Sequence, residues 1–297
     1  MTERNILVLG GAGQLGQCIQ KVEQEFDLGT FFYADEVNGN ILDSEVLEKL
    51  FHETQPQYVI NCAAYTAVDK AEEETELCRA VNAEALEHIT RFCKEYDSVL
   101  IQISTDFVFQ GDTPALLNET MKAEPISVYG QTKLQGERVV EANMNKYFIL
   151  RTSWLYSEFA NNFVKTMVRL AKERDELSVV ADQYGCPTYA GDLAHAILQI
   201  CERHEQGKAL AWGIYHYCGD TPTSWHGFAR AIFIKAEALS VIAKRPQLTA
   251  ISSNQYPTPA KRPEYSVMST VSLNDIGVMP SDWIDGLVYV IEHLSDL

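Results

Sequence analysis

The segment from residue 6 to residue 16 constrains the fold of this chain more than any other feature. Ile6–Leu9 is a short apolar run, and a glycine-rich turn, Gly10–Gly16, follows it at once. Such a run is typical of a strand buried on both faces of a parallel sheet. Glycines at the spacing G-x-x-G-x-x-G let the backbone approach a pyrophosphate, whose charge is met by the amides and dipole of the helix that follows. The strand before the turn and the helix after it favour a dinucleotide site over a merely tight turn.

Apolar runs of the same kind recur along the first half of the chain and alternate with stretches of helical periodicity. The apolar runs cover residues 30–34, 58–62, 99–103 and 147–150, and the helical stretches cover 15–25, 44–55, 72–96 and 128–143. This alternation is typical of α/β proteins with a doubly wound parallel sheet of the Rossmann type. We therefore expect residues 1–150 to form a dinucleotide-binding core.

After about residue 150 the regular alternation weakens. Residues 162–173 and 192–202 have helical periodicity, 177–180 has the pattern of a strand, and the prolines within 251–265 predict an extended loop. We expect residues 151–297 to form mainly a smaller α/β substrate-binding portion, with parts of 177–215 returning to the core. Function in such folds usually lies where loops cap the carboxyl ends of the strands.

Composition excludes several classes of protein. The formal net charge of −17 argues against binding a nucleic acid, because such proteins concentrate lysine and arginine. No apolar run approaches the roughly 18–20 residues that cross a bilayer, and the N-terminus lacks the apolar region of a signal peptide. The seven cysteines form no C-x-x-C pair, and no histidines share a metal-ligand spacing. We expect a cytoplasmic protein with reduced thiols, no metal and no membrane or nucleic-acid partner.

Asp35 ends the second apolar run, 19 residues after Gly16. This is where a carboxylate would accept hydrogen bonds from the adenosine ribose of the cofactor. Such a carboxylate would repel a 2′-phosphate and so favours NADH over NADPH. Because Glu36 follows directly, a solvated loop acid is the alternative, and the cofactor is left as NADH or NADPH.

Tyr129 and Lys133 are four residues apart, so on a helix they project from the same face. A neighbouring ammonium stabilises a phenolate and makes tyrosine a plausible proton donor for carbonyl reduction. The pattern Y-x-x-x-K alone is weak, but Ser104 and Thr105 directly follow the strand-like run 99–103. A hydroxyl at that end of a strand, on the same side as the glycine turn, can bond to a substrate oxygen and polarise it.

Longer motifs give the chain a more specific resemblance, which extends over nearly its whole length. These motifs are residues 10–16, 61–72, 104–109, 129–133, 151–156, 161–163, 256–259 and 262–263. Together they resemble the dTDP-4-dehydrorhamnose reductase family, whose members belong to the extended short-chain dehydrogenases and reduce a 4-keto deoxysugar nucleotide in dTDP-rhamnose biosynthesis.

The resemblance implies a role for each matching residue. Tyr129 would give a proton to the sugar O4 while a nicotinamide supplies hydride, Lys133 would hold the nicotinamide ribose and lower the pKa of Tyr129, and Thr105 would bond to the substrate oxygen. Cofactor contacts would come from Gly10, Gly13, Gln14, Leu15, Gly16, Asp35, Asn40, Ile41, Ala63, Ala64, Tyr65 and Thr66, besides Tyr129 and Lys133. Substrate contacts would come from Val68, Thr105, Asp106, Trp154 and Arg262, the last of these facing the nucleotide diphosphate.

The chain departs from the family pattern in two places. Many members carry an acidic residue that reads the adenine, and the matching pair here is Asn40 and Ile41. Some relatives form a dimer bridged by a divalent cation on glutamates, whereas Cys18 and Gly191 stand at the corresponding positions. We therefore predict no metal, and either a monomer or a homodimer.

Two other functions stay open at this stage. The chain could be a non-catalytic dinucleotide-binding regulatory subunit, like the β subunit of methionine adenosyltransferase, or another sugar-nucleotide reductase or epimerase. The regulatory relative loses the tryptophan-bearing segment that is kept here as Arg151–Tyr156. Because Thr105, Tyr129 and Lys133 are kept as well, the residues favour an enzyme that acts on a nucleotide-sugar substrate.

Overall fold

The computed structural model describes residues 4–208 and 210–294. Its centre is a six-stranded parallel sheet in the order β10-β5-β4-β3-β1-β2. The strands of this sheet are β1 (Asn5–Leu9), β2 (Thr30–Ala34), β3 (Tyr58–Asn61), β4 (Val99–Thr105), β5 (Tyr147–Thr152) and β10 (Gly213–His216). The predicted doubly wound α/β fold is confirmed.

Helices cover both faces of this sheet, which is why its strands are apolar throughout. On one face α1 (Gln14–Val22) packs with α7 (Ala190–Glu205) over a shared core that includes Ile6 and Val8. The opposite face is covered by α2 (Ser44–Thr54), α4 (Ala85–Glu95) and α5 (Val128–Asn143). Strand β1 therefore presents alternate side chains to two separate cores.

The predicted helix 72–96 is interrupted. A 3₁₀ turn (Lys70–Glu72) leads into α3 (Thr75–Arg79), which continues through a π-helical turn (Ala80–Glu84) into α4. The π-helical turn brings Asn82 inward, where its side chain accepts a hydrogen bond from Tyr65 N at 2.9 Å and donates one to Tyr65 O at 3.1 Å. Such turns are frequent beside functional sites, and this one holds the segment that follows β3.

The later part of the chain builds a second core outside the large sheet. Helices α6 (Phe163–Glu173), α8 (Trp225–Ala238) and α10 (Trp283–Glu292) contribute to this core. The later part also contains a short α9 (Val271–Asn274) and three strand pairs, which are β6 (Leu155–Tyr156) with β9 (Thr188–Tyr189), β7 (Glu176–Val180) with β12 (Gln247–Ile251), and β8 (Tyr184–Gly185) with β11 (Thr223–Ser224). From this part α7, β10 and α9 pack against the first core, where Leu273 of α9 is buried. The proline segment after β12 has a 3₁₀ turn (Ser253–Gln255) and is otherwise irregular.

No helix within residues 4–208 and 210–294 is both long and apolar enough to cross a membrane.

Candidate active site

The carboxyl ends of the central strands define one edge of the sheet. Chain order reverses between β1 and β3, because β2 lies on one side of β1 while β3 and β4 lie on the other. Ligands of such sheets bind in the crevice at this switch point. Gly10 follows β1, Ala63 follows β3 and Thr105 ends β4, so the predicted cofactor and catalytic segments meet at the same edge.

The glycine turn has the geometry of a pyrophosphate cradle. Gly10 has φ of +76°, and a Cβ there would lie 2.6 Å from Ala63 N. A Cβ on Gly16 would lie 2.5 Å from Gly10 O. Gly13 is the N-cap of α1, and no side chain caps the amides that follow it. The turn therefore accepts glycine alone at two positions and leaves a helix N-terminus for an anion, which fits a dinucleotide.

Two residues of this turn have further structural roles. Leu15 is 5% exposed and packs in the core, so its backbone is what faces the crevice. The Gln14 side chain reaches the later part of the chain, where its Oε1 accepts hydrogen bonds from Ser157 Oγ at 3.1 Å and Asn162 Nδ2 at 3.0 Å. Sequence reasoning gave Ser157 no role; Asn162 was part of a family motif without an assigned contact.

The predicted adenosine end of the site lies beside a cavity of about 340 Å³. The cavity is lined by Gly11, Ala12, Gln17, Gln20, Tyr33, Ala34 and Asp35. Within the described residues this lining contains the Asp35 carboxylate and no lysine or arginine. Asp35 Oδ1 accepts hydrogen bonds from the amides of Val37 and Asn38, which orient the side chain at the end of β2.

Asn40 and Ile41, the pair expected to contact the adenine, lie at the surface and in the core respectively. Asn40 is exposed, and its Oδ1 accepts a hydrogen bond from Leu42 N at 3.0 Å. Ile41 is 6% exposed and packs with Leu47 and Phe51. The Asn40 side chain is therefore already engaged locally, and the Ile41 side chain is part of the core.

The segment after β3 lies against the glycine turn, where Ala63 packs close to Gly10. Ala63 and Ala64 are half-buried, whereas Thr66 is exposed. The Tyr65 hydroxyl donates to Glu74 Oε2 at 2.6 Å, and this hydrogen bond raises the pKa of Tyr65 to about 12. Tyr65 is thus held by both its backbone and its hydroxyl.

Tyr129, Lys133 and Thr105 come together where α5 crosses the end of β4. Ser127 caps α5 by accepting from Gly130 N at 3.2 Å, and the Tyr129 ring packs edge-on against Phe107 at 5.5 Å. Burial raises the pKa of Tyr129, and the nearby Thr105 hydroxyl opposes that rise, whereas Lys133, which was expected to lower this pKa, is not among the groups that shift it. The phenol is therefore protonated at neutral pH, which is the form that a proton donor needs.

Lys133 is almost completely buried on the same face of α5. It is 4% exposed, and its Nζ donates to Ile103 O at 2.7 Å. Burial lowers its pKa to about 8, because the charged form loses water. The side chain is thus mainly an ammonium at neutral pH and becomes neutral as the pH rises through about 8.

Asp106 follows Thr105 and is 2% exposed. Its Oδ1 accepts a hydrogen bond from Thr105 Oγ1 at 3.0 Å, while Oδ2 has no partner among the described residues. Burial raises the pKa of Asp106 to about 6, and the hydroxyls of Ser266 and Thr105 partly oppose the rise. A buried carboxylate oxygen without a partner suits a hydroxyl-rich ligand.

Trp154 is held in an unusual backbone conformation, with φ of +47°. Its indole stacks on Trp225 with centroids 3.6 Å apart and an angle of 9° between the rings. A Cβ on Gly185 would lie 2.7 Å from the Trp154 ring, so the glycine permits close packing on it. Sequence reasoning missed Trp225, which starts α8 in a segment without a family motif.

A second cavity, of about 860 Å³, lies between the later elements and the segment after β3. Its lining includes Trp225, Asp69, Arg262, Tyr256 and Phe163. Arg262 makes a two-pronged ion pair with Asp69, at 3.0 Å from Nη1 to Oδ1 and 2.7 Å from Nη2 to Oδ2. This pairing lowers the pKa of Asp69. Val68, the neighbour of Asp69, is half-buried.

The two positions that the family resemblance relates to a bridging cation, Cys18 and Gly191, are packed tightly here. Cys18 is fully buried, and burial raises the pKa of its thiol. A Cβ on Gly191 would lie 2.3 Å from the Tyr189 ring, so a larger side chain would displace that ring. Over residues 4–208 and 210–294, no group of three or more histidine, cysteine, aspartate or glutamate side chains is arranged to hold a metal ion.

Comparison with known proteins gives one consistent result. The family model described as "RmlD substrate binding domain" matches residues 4–295. The chain is 39% identical over 279 residues to a dTDP-4-dehydrorhamnose reductase of Aggregatibacter actinomycetemcomitans, covering 94% of this chain and 95% of that one.

Solved structures agree with this result. A dTDP-4-dehydrorhamnose reductase from Bacillus anthracis, in complex with NADP, has a TM-score of 0.88 at 36% identity, covering 98% of this chain and 99% of that one. A dTDP-4-dehydrorhamnose reductase from Clostridium acetobutylicum has a TM-score of 0.89 at 37% identity, covering 98% of this chain and 99% of that one. On this evidence the chain belongs to the dTDP-4-dehydrorhamnose reductase family.

Proposed function

We propose that this protein reduces the 4-keto group of dTDP-4-dehydro-L-rhamnose to give dTDP-L-rhamnose, the last step of dTDP-rhamnose biosynthesis, using NADH or NADPH. One observation carries the proposal: Tyr129, Lys133 and Thr105 meet at the sheet edge that also holds the glycine turn. The names of its relatives, and the NADP in one of their structures, support the same reaction.

The chemistry needs a hydride and a proton, and a bound nicotinamide supplies the hydride. The Tyr129 phenol gives its proton to the carbonyl oxygen, so that the ketone becomes an alcohol. Thr105 can donate its hydroxyl hydrogen to the same oxygen once it releases Asp106. The Lys133 ammonium, which here donates to Ile103 O, would stabilise the phenolate that remains once it turns towards that oxygen, since an opposite charge nearby favours the ionised form.

We assign the two ligands to two portions of the chain. Residues 1–150, with α7 and β10, form the dinucleotide-binding core, and the rest of 151–297 forms mainly the substrate-binding portion. The 860 Å³ cavity supports this division, because it offers an aromatic wall at Trp225 and the cation of Arg262. A guanidinium suits a nucleotide diphosphate, which accepts paired hydrogen bonds and would take the place on Arg262 that the Asp69 carboxylate holds in this structure.

We further propose that the protein acts in the cytoplasm as a monomer or homodimer, without a membrane or nucleic-acid partner. The net charge of −17 supports the last point. The packing at Cys18 and Gly191 argues against a dimer bridged by a cation on these two positions.

The assay that tests the proposal supplies purified protein with NADH or NADPH and dTDP-4-dehydro-L-rhamnose. We expect stoichiometric oxidation of the cofactor, with dTDP-L-rhamnose as product and release of the oxidised cofactor. A regulatory subunit would bind the dinucleotide without turnover. An epimerase or dehydratase would retain its cofactor and show no net oxidation, so either outcome would exclude the reductase.

A further inference from the structure

A buried ion pair lies directly beside the catalytic residues. The Glu137 carboxylate accepts hydrogen bonds from Arg151 Nε at 2.9 Å and Nη2 at 2.6 Å, and a third from Ser104 Oγ at 2.5 Å. The side chains of Glu137 and Arg151 are 1% and 3% exposed. Apolar residues of similar volume often replace such pairs without loss of stability. A charge pair in this place therefore points to a role beyond packing.

The pair connects the three elements that meet at the site. Glu137 belongs to α5, Ser104 to β4 and Arg151 to β5, and Ser104 lies opposite Arg151 in the register of these two strands. Thr105 directly follows Ser104. The hydrogen bonds of Glu137 therefore fasten the catalytic helix to the strand end that carries the substrate-facing hydroxyl.

The same carboxylate also adds a charge beside Lys133. Glu137 comes four residues after Lys133 on α5, so the two side chains share a face with Cβ atoms about 5–6 Å apart. Among the charges that act on Lys133, Glu137 has the largest effect, and it raises the lysine pKa against the lowering caused by burial.

Other titratable groups around Lys133 come from the elements packed against α5. Cys62 and Cys78 face it as thiols whose pKa values burial raises, so both are neutral near pH 8. Glu72 accepts a hydrogen bond from Val128 N at the start of the helix, at 2.9 Å. Asp106 acts on Tyr129 from the turn after β4. Glu137 is thus the carboxylate closest in sequence to Lys133 on its own helix face.

We propose that Glu137 is a positioning residue for the ketone reduction. Anchored by Ser104 and Arg151, its carboxylate fixes the helix that carries Tyr129 and keeps a negative charge one turn from the Lys133 ammonium. The inference rests on the proposed function, because it assigns Glu137 a part in that reaction.

The test measures the titration of Lys133 in the full-length apoprotein, so that it needs no substrate. Lysine labelled with ¹³C at Cε reports deprotonation by NMR, and the Lys133→Arg spectrum assigns the resonance. We expect a midpoint near 8 in the wild-type protein. In Glu137→Gln the midpoint should fall by about one pH unit, because the ammonium loses its nearest counter-charge. The alkaline limb of kcat/KM should move to lower pH with it.

Three further variants make the result decisive. Glu141→Gln removes an exposed carboxylate from the next turn of α5 and should leave the midpoint unchanged. Glu137→Asp keeps the charge and should restore a midpoint near that of the wild type. Arg151→Gln removes the opposite charge, so it should move the midpoint upward, and it tests the proposal even where Glu137→Gln does not fold.

A midpoint that stays in place in folded Glu137→Gln or Arg151→Gln would overturn the proposal. A fall in kcat without any movement of the alkaline limb would do the same, since a merely structural role predicts that result. If the variants shift the Lys133 midpoint as expected but the protein does not reduce the substrate, the proposed reaction would be refuted. The electrostatic interaction between Glu137 and Lys133 would still be supported.

Discussion

The glycine turn and the 860 Å³ cavity would bind their proposed ligands by different means. The turn uses backbone amides and the absence of side chains, and its residues are contiguous in sequence between Gly10 and Gly16. The cavity uses side chains such as Trp225, Tyr256 and Arg262, which come from separate elements. A backbone site recognises what all dinucleotides share, whereas a side-chain site can be altered one residue at a time. The difference explains how one fold serves many sugar nucleotides.

The largest expected effect is at Tyr129, the proposed proton donor. Tyr129→Phe removes the phenol and keeps the ring that packs on Phe107. We expect kcat to fall by about 100-fold or more, while the dissociation constants of cofactor and product stay within about twofold. Steady-state kinetics and calorimetric titration measure these quantities. Tyr96→Phe, on the far end of α4, is the matched control, and an undiminished kcat in Tyr129→Phe would remove its assigned role.

A smaller effect should be confined to the cavity. Arg262→Gln removes the cation while keeping a polar side chain, so we expect KM for the nucleotide sugar to rise about 10- to 100-fold, the value of a lost charged hydrogen bond. Cofactor affinity should not change. Arg169→Gln removes an exposed arginine of α6 and serves as the control. Equal KM values in the two variants would mean that the diphosphate binds elsewhere.

The smallest expected effect concerns the other end of the cofactor site. Asp35→Ser removes the carboxylate that faces the 340 Å³ cavity, and with it the repulsion of a 2′-phosphate. The ratio of kcat/KM for NADPH to that for NADH should increase about three- to tenfold. Glu36→Gln removes the same charge from the next residue and should leave the ratio unchanged. If both variants behave alike, Asp35 is simply a solvated loop acid.

The first half of the fold follows from local patterns. Buried parallel strands are apolar on both faces, and the helices between them have a clear period, so the order of elements as far as β5 could be predicted. The break in the helix over 72–96 could not be predicted, because it depends on a contact between Asn82 and the backbone of Tyr65, distant in sequence. The helix that begins at Trp225 was missed for a related reason, since its apolar face is buried against several separate elements.

The candidate site also has a part that could be predicted from sequence and a part that could not. Sequence motifs predicted Tyr129, Lys133 and Thr105 as site residues, because their proposed roles depend on spacing within one helix and on a strand end. Sequence patterns did not show that Glu137 pairs with Arg151, or that Arg262 pairs with Asp69, since these partners are 14 and 193 residues apart. Pairings of this kind are decided by tertiary packing and have no local signature.

The Gln14 side chain has a mechanical consequence. Its amide oxygen belongs to the turn of the cofactor core, yet it accepts hydrogen bonds from both Ser157 and Asn162 of the later portion. Swinging the two portions apart as rigid bodies would break both bonds at one atom. The same movement would break the Arg262–Asp69 ion pair and the pair between Lys21 and Glu158, so a hinge between the halves is opposed at several points. Tension applied at either ligand site would be transmitted to the other partly through the Gln14 amide group.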